Sequence, residues 1–210
     1  MSLPIAAPGQ PATAAAQLPK QRLPYISPAN IIDPAMLAEF QRAAREGAPR
    51  PESHAIRAHV PPVFWAFANA WKDTFVEGVC DHAIKELCRL YVSQAVNCDY
   101  CGNQRSVKAQ SQGLLEDDVK DLLEFEKSSR FTPRQQAALR LAEAITWGLE
   151  ARDDLWAALY QHFETGQIVE LGFFIGLTMG QQRWNRLINM QHGQFMGGTV
   201  GGLAPVKSAQ

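Results

Sequence analysis

Excess charge of either sign is absent from this chain: 20 Lys and Arg stand against 21 Asp and Glu, a net charge of −1 over 210 residues. Without a basic surface there is no electrostatic footprint for a nucleic-acid backbone, so nucleic acid is not an expected partner. Long hydrophobic runs are missing too. The most apolar stretch, Ile168 to Met179, is shorter than the ~20 residues of a membrane-spanning helix and runs straight into Gln181, Gln182 and Arg183, so no membrane segment is expected. The first residues, Met1 to Gln17, have no basic start and no continuous apolar core, because Pro4, Pro8 and Pro11 interrupt them. They do not read as a secretory leader, and the expected location is cytoplasmic. Cysteine is scarce: Cys80, Cys88, Cys98 and Cys101 are the full set. In a reducing compartment a close cysteine pair is more often catalytic or metal-binding than a structural staple. The two-residue alternation of a half-buried strand is also lacking, which leaves an all-α chain as the expectation.

What is present is helical patterning in one compact unit of six to eight helices. Residues 1–30 form a Pro/Ala-rich N-terminal arm with no helical period. The arm is either a disordered tail or a segment that wraps a neighbouring subunit through Leu23, Tyr25 and Ile26. The helical domain is expected over residues 31–196, followed by a flexible Gly-rich tail, 197–210. Asp33-Pro34 is an N-cap with proline at the first helical position and opens a helix to about Arg45. Pro61-Pro62 opens another, carrying Phe64, Trp65, Phe67 and Trp71. From His82 to Val96 the apolar positions Ile84, Leu87, Leu90, Tyr91 and Ala95 share one side. The segment from Cys98 is expected to continue as helix to about Gln112 and to stop at Gly113, with a charged helix following over Glu116 to Lys127. Thr132-Pro133-Arg134-Gln135 is a capping box that starts a long helix. Asp153 or Asp154 caps the next, and Thr165 or Gly166 opens the last long one.

The chemistry concentrates in Cys98-Asp99-Tyr100-Cys101, with Glu86 twelve residues upstream and Arg105 four residues after Cys101. Thiols three positions apart meet across one helical turn and can close a disulfide. Cys98 falls near a helix start, where unpaired N–H groups acidify a thiol. Arg105 is expected to share the face of Cys101 and to favour its thiolate, but a guanidinium does not shuttle protons at neutral pH. Glu86 is the group in this pattern that can accept and return a proton. Zinc would need two more ligands, and Cys80 and Cys88 do not form a second close pair, so no metal or cofactor is expected. Two inert buried thiols, with Glu86 and Arg105 as a plain salt bridge, would give the same pattern.

The stretch from Glu86 to Cys101 resembles the core signature of the alkylhydroperoxidase D-like, carboxymuconolactone decarboxylase superfamily: Glu, twelve positions to C-x-x-C, then a His four residues after the second Cys. The resemblance covers roughly Val60 to Met190, including the Thr132-Pro133-Arg134 helix start and Trp184-Asn185-Arg186. It implies an all-α fold assembled as homo-oligomers, often trimers or hexamers, and a small hydroperoxide as substrate. It also implies that Cys101 attacks the peroxide, Cys98 closes the disulfide, Glu86 serves the proton relay, and a dithiol or protein reductant restores the pair. Here Arg105 stands where the family has its His, and Tyr100 where some peroxidases carry another.

Three second-tier candidates accompany these residues: Tyr100, His82, read as a surface histidine one turn before Glu86, and His192, which can reach the pocket from another helix. Gly172, Gly176 and Gly180 form a smooth ridge, for packing within the chain or between subunits. The tryptophans read as core and interface residues. Two further functional readings stand beside the antioxidant enzyme: a cofactor-independent decarboxylase of a lactone-type acid, and a non-enzymatic redox sensor or oligomeric scaffold.

Overall fold

A computed structural model describes residues 20–192 and 202–204. Ten α-helices and no strand occur among the described residues: α1 (Pro34–Glu46), α2 (Pro51–Arg57), α3 (Pro61–Trp71), α4 (His82–Ala95), α5 (Asp99–Gly102), α6 (Val107–Ser111), α7 (Glu116–Lys120), α8 (Pro133–Trp147), α9 (Asp153–His162) and α10 (Thr165–Leu187). No helix among them is long and apolar enough to cross a membrane.

The capping chemistry sets the starts. The Asp33 carboxylate accepts from the Ala35 N–H at 2.9 Å ahead of Pro34. Thr132 and Gln135 form the reciprocal box at the head of α8. The helix expected from Cys98 to Gln112 is divided into α5 and α6, because the chain leaves helical geometry after Gly102 and restarts on the Ser106 cap, whose hydroxyl accepts from Ala109 N–H at 3.2 Å. The stretch expected as one helix from Glu116 to Lys127 is likewise α7 followed by a 3-10 turn at Leu122–Glu124. These breaks, and the short α2, raise the number of helical segments above the expected six to eight.

The fold is built around α4, which packs against α8 and α10. Its apolar residues Leu87, Leu90 and Val92 join Leu139, Leu171 and Ile175 in the main core. A second cluster forms around Phe40 and Phe64, and a third around Phe67, Trp71, Phe75 and Phe174. The sequence pattern gives α4 one apolar side, yet His82, Lys85, Glu86, Arg89 and Ser93 are buried as well. Each of these polar groups has a partner, as burial requires. Lys85, for instance, donates to the Thr74 carbonyl at 2.6 Å and to Glu170 at 2.9 Å.

Where the termini are described, they pack on the chain itself. Leu23 and Tyr25 pack on this chain's own core, and Arg22 N–H and Ile26 N–H bond to Ile188 and Ala55 carbonyls at 2.9 and 3.1 Å. Their apolar surface is therefore engaged within the chain; residues 1–19 lie outside the described residues. In the tail, residues 202–204 return to the segment after α5. Arg105 N–H donates to Gly202 O at 2.7 Å and Ala204 N–H to Asn103 O at 2.8 Å. The rest of 193–210 lies outside the described residues.

That return depends on two glycines. Gly47 ends α1 at φ +78° and faces Gly202, itself at φ +74°. A Cβ on Gly47 would stand 2.6 Å from Gly202 Cα and 2.5 Å from the Arg105 carbonyl oxygen. Gly172, Gly176 and Gly180 behave differently: a Cβ on any of them meets nothing within 4 Å. The ridge on α10 therefore packs against no other part of the described chain. Val169 and Phe173 on the same helix are exposed.

Replacing Gly47 by Ala combines a strained backbone with a collision against Gly202. The expected outcome is a loss of about 1–3 kcal/mol in unfolding free energy. Chemical denaturation measures it, and an unchanged midpoint would show that the tail contact is dispensable.

Candidate functional site

α4 ends at Val96, and Asn97 turns the chain with φ 53°, a conformation Asn tolerates better than most residues. Cys98 then caps α5, its sulfur accepting from Cys101 N–H at 3.4 Å. Cys98 and Cys101 are joined as a disulfide with Cα atoms 5.3 Å apart, inside the ordinary bridging range. Both are 2 % exposed. α5 has four residues, too few for a developed helix dipole, so the expected acidification of Cys98 by a helix start loses its basis.

Beneath the pair lies a buried ion pair. Arg89 reaches Glu86 through Nε at 2.6 Å and Nη2 at 2.8 Å. The same guanidinium donates to the carbonyls of Cys101 at 2.9 Å and Gln104 at 2.8 Å. Glu86 also accepts from Ser106 N–H at 2.9 Å. Glu86 thus holds Arg89 and the start of α6, and its partner is Arg89, not Arg105.

Arg105 lies beyond the end of α5, so the one-turn spacing from Cys101 does not put the two on one helical face. Its Nε and Nη2 grip Glu116 at 2.7 and 2.9 Å, and Nη1 donates to the Gly102 and Gln104 carbonyls. The guanidinium ties α5 to α7.

The cations beside Cys101 are others. Arg57 and Arg89 line, with Cys101, a cavity of about 30 Å³. Arg57 sits 3.6 Å above the Phe67 ring and donates to Gln181 Oε1 at 2.6 Å and Ser53 O at 2.7 Å. Burial pulls its pKa down to about 10, which leaves it a cation at neutral pH. Asn185 donates from Nδ2 to the Cys101 sulfur at 3.7 Å. The charge of Arg89 is matched by Glu86, which leaves the buried Arg57 cation and the Asn185 amide donor as the groups of this cavity that favour a thiolate. Neither Arg57, Arg89 nor Asn185 is among the residues singled out by sequence for this role. The i, i+3 spacing of Glu86 and Arg89 is the one signal that could have found any of them.

Cys98 opens onto a different cavity of about 320 Å³, shared with Tyr100, Asn185, Arg186 and His192. The His192 ring stacks on Tyr100 with centroids 4.5 Å apart. Burial, then the charge of Arg50, lowers the His192 pKa to about 4, so the ring is neutral near pH 7. Burial, then the charge of Glu52, pushes the Tyr100 phenol well above its ordinary value. The large cavity is therefore walled by neutral polar groups together with the cationic Lys20 and Arg186 and the acidic Asp99.

His82 is not on the surface as the sequence pattern suggests; it is 6 % exposed. Its Nδ1 lies 2.8 Å from the Phe75 carbonyl, which can only accept, so Nδ1 carries the proton. Nε2 then accepts from the Ser106 hydroxyl at 2.7 Å. Burial lowers the His82 pKa, consistent with this neutral tautomer. His82 joins the Glu86 network through Ser106 and lines neither the 30 Å³ nor the 320 Å³ cavity.

The remaining thiols are isolated from this chemistry. Burial raises the Cys80 pKa to about 11, and raises that of Cys88 further, with Cys88 Sγ directed at the Ala138 carbonyl at 3.5 Å. Among the described residues no group of three or more side chains is placed to hold a metal ion.

Residues 61–144 match the model of the carboxymuconolactone decarboxylase family. The Bacillus subtilis protein YdfG is 29 % identical over 105 residues, 49 % of this chain and 69 % of its own length. A peroxidase-related protein with an alkylhydroperoxidase AhpD core from Ralstonia eutropha has a similar structure, with TM-score 0.67 and 20 % identity over 87 % of this chain and 98 % of that one. The debrominase Bmp8 superposes with TM-score 0.65 at 19 % identity, over 75 % and 86 % of the two chains. At these identities the two structural likenesses carry the fold, not a substrate.

The competing cations give a direct contrast. In the reduced protein, iodoacetamide labelling of Cys101 at pH 7 is expected to keep its wild-type rate in Arg105→Ala. In Arg57→Gln it is expected to slow roughly ten-fold, equivalent to about 1.4 kcal/mol of lost thiolate stabilisation. The opposite ordering would return the thiolate-stabilising role to Arg105.

Proposed function

We propose that this chain, which belongs to the alkylhydroperoxidase D-like, carboxymuconolactone decarboxylase superfamily through residues 61–144, is a thiol-dependent oxidoreductase that reduces a hydroperoxide with Cys98 and Cys101. The observation that carries the reading is the bridged pair itself, lying between two separate cavities with Arg57 and Arg89 on the Cys101 side. A pair whose Cα atoms stand 5.3 Å apart, inside the ordinary bridging range, can cycle between dithiol and disulfide.

In this cycle the Cys101 thiolate attacks one peroxide oxygen. The O–O bond breaks, sulfur is oxidised to a sulfenic acid, and the departing oxygen takes a proton from solvent to leave as water or an alcohol. The Cys98 thiolate then attacks the Cys101 sulfur, the S–O bond breaks, the departing hydroxide takes a proton from solvent and leaves as water, and the disulfide forms. A dithiol donor opens the bridge by exchange, becomes a disulfide itself, and returns both cysteines to the thiol state. Arg57 and Asn185 stabilise the Cys101 thiolate. Glu86 positions Arg89, and His82 acts at a further remove through Ser106. Tyr100 and His192 shape the approach to Cys98. Arg105 contributes by fixing the turn after α5. A cytoplasmic setting, where dithiol donors are maintained, suits this cycle.

Hydrogen peroxide added to the reduced chain is expected to remove two thiols per chain, assigned by peptide mapping to Cys98 and Cys101, with Cys80 and Cys88 still alkylatable. Cys101→Ser should abolish the loss, and Cys98→Ser should stop it at a sulfenic acid. Four thiols that survive the peroxide would refute the reading. The open glycine face of α10, flanked by exposed Val169 and Phe173, supports assembly of like subunits, the trimer or hexamer of the family resemblance. Light scattering is then expected to give a multiple of the single-chain mass, and a monomer at micromolar concentration would rule that out.

A further inference from the structure

The two sulfurs face cavities of very different size. Cys98 borders about 320 Å³ and Cys101 about 30 Å³. The smaller space has an unusual wall. Three residues on successive turns of α10 line it, and each carries a buried polar atom with no hydrogen-bond partner among the described residues: Thr178 Oγ1, Gln182 Oε1 and Asn185 Oδ1. Their residues are 1 %, 4 % and 6 % exposed. The other ends of the two amides are occupied, Gln182 Nε2 by the Arg89 carbonyl at 3.1 Å and Asn185 Nδ2 by the Cys101 sulfur. These bonds fix one end of each amide, and two acceptor oxygens and one hydroxyl are left unpaired on residues that line a cavity with Cys101. Buried polar atoms of this kind call for a small polar occupant.

Resting on the peroxidase reading above, we infer that this cavity is the oxidant site and that it selects hydrogen peroxide over alkyl and aryl hydroperoxides. A water molecule needs roughly 10–15 Å³ of such space, so the space beside Cys101 holds about two oxygen-sized groups. Hydrogen peroxide has two oxygens and two O–H donors, matching the acceptors on Gln182 and Asn185. Its lone pairs can accept from the Thr178 hydroxyl. An alkyl hydroperoxide has one donor, which leaves one of these acceptors unmatched, and its hydrocarbon group would have to pass the rings of Phe67 and Trp71 on the wall. The step is the one already written: the Cys101 sulfur forms a bond to one oxygen, the O–O bond breaks, and the second oxygen leaves as water after protonation.

The test is single-turnover oxidation of the reduced full-length chain by hydrogen peroxide, tert-butyl hydroperoxide and cumene hydroperoxide, followed by loss of the Cys98 and Cys101 thiols. The wild type is expected to react at least ten-fold faster with hydrogen peroxide than with cumene hydroperoxide. Thr178→Val, which keeps the volume and removes the hydroxyl, should slow the hydrogen peroxide reaction about five-fold, and by more than it slows the cumene hydroperoxide reaction. Gln182→Ala, which adds volume, should narrow the preference to within about three-fold. Thr178→Ala is a second enlarging variant should Gln182→Ala fail to fold by circular dichroism. Equal wild-type rates, or a preference that no enlarging variant narrows, would overturn the inference and leave the peroxidase reading standing; the cavity would then hold water only. No thiol loss with any of the three peroxides would overturn both.

Discussion

The buried pair of Glu86 and Arg89 is the constraint on which the site depends. Both side chains are on α4 and essentially inaccessible, at 0 % and 2 % exposure. Burying two charges is costly unless every donor and acceptor is matched, and here the matching partners lie on the turn that carries Cys98 and Cys101. Arg89 serves Glu86, the Cys101 carbonyl and the Gln104 carbonyl at once, while Glu86 holds the first N–H before α6. The ion pair therefore fixes where α5 begins and where the chain turns after it. Removing one partner would leave the other charge buried and unmatched, a penalty of about 3–5 kcal/mol.

The placement of that frame decides the chemistry available to each sulfur. Gln182 on α10 is tied to the Arg89 carbonyl, and one turn later Asn185 reaches the Cys101 sulfur. α10 is thereby set against α4 in the register that closes a small polar space on the Cys101 side. Arg57 comes into the same space from α2, held over Phe67 and bonded to Gln181. On the other side, Cys98 faces the larger cavity where His192 stacks on Tyr100. Arg105, with Glu116 and the returning Gly202, closes the turn from outside. Arg105, at the position of the family's His, is thus a structural tie, and the cations that share a cavity with Cys101 are Arg57 and Arg89, which the pattern does not mention.

Much of this was legible in the sequence. The all-α class follows from helical periods and caps, and the caps at Asp33 and Thr132 form as read. The C-x-x-C spacing gives the disulfide, and the junction before Cys98 is where α4 ends. Three things were hidden. The polar positions of α4 look like a solvent face, yet they are buried, because spacing reports polarity and not whether a partner awaits on another helix. Arg57 is far from the cysteines in sequence, and its approach depends on the packing of α2. Arg105 is misplaced by an argument that assumes an unbroken helix, and a four-residue α5 removes that assumption. The row Thr178, Gln182, Asn185 has helical spacing on α10, but in the sequence nothing separates it from the neighbouring polar residues Arg183 and Arg186, which are exposed.

The central claim is that the Glu86–Arg89 pair positions the turn carrying Cys98 and Cys101 as a unit. A double-mutant cycle on Glu86→Gln and Arg89→Gln, reading the iodoacetamide labelling rate of Cys101 in the reduced protein, tests it most directly. Each single variant is expected to slow labelling strongly and the double variant by little more than either, a coupling of about 1–3 kcal/mol for residues in one hydrogen-bonded network. Effects of the two substitutions that simply add would contradict it.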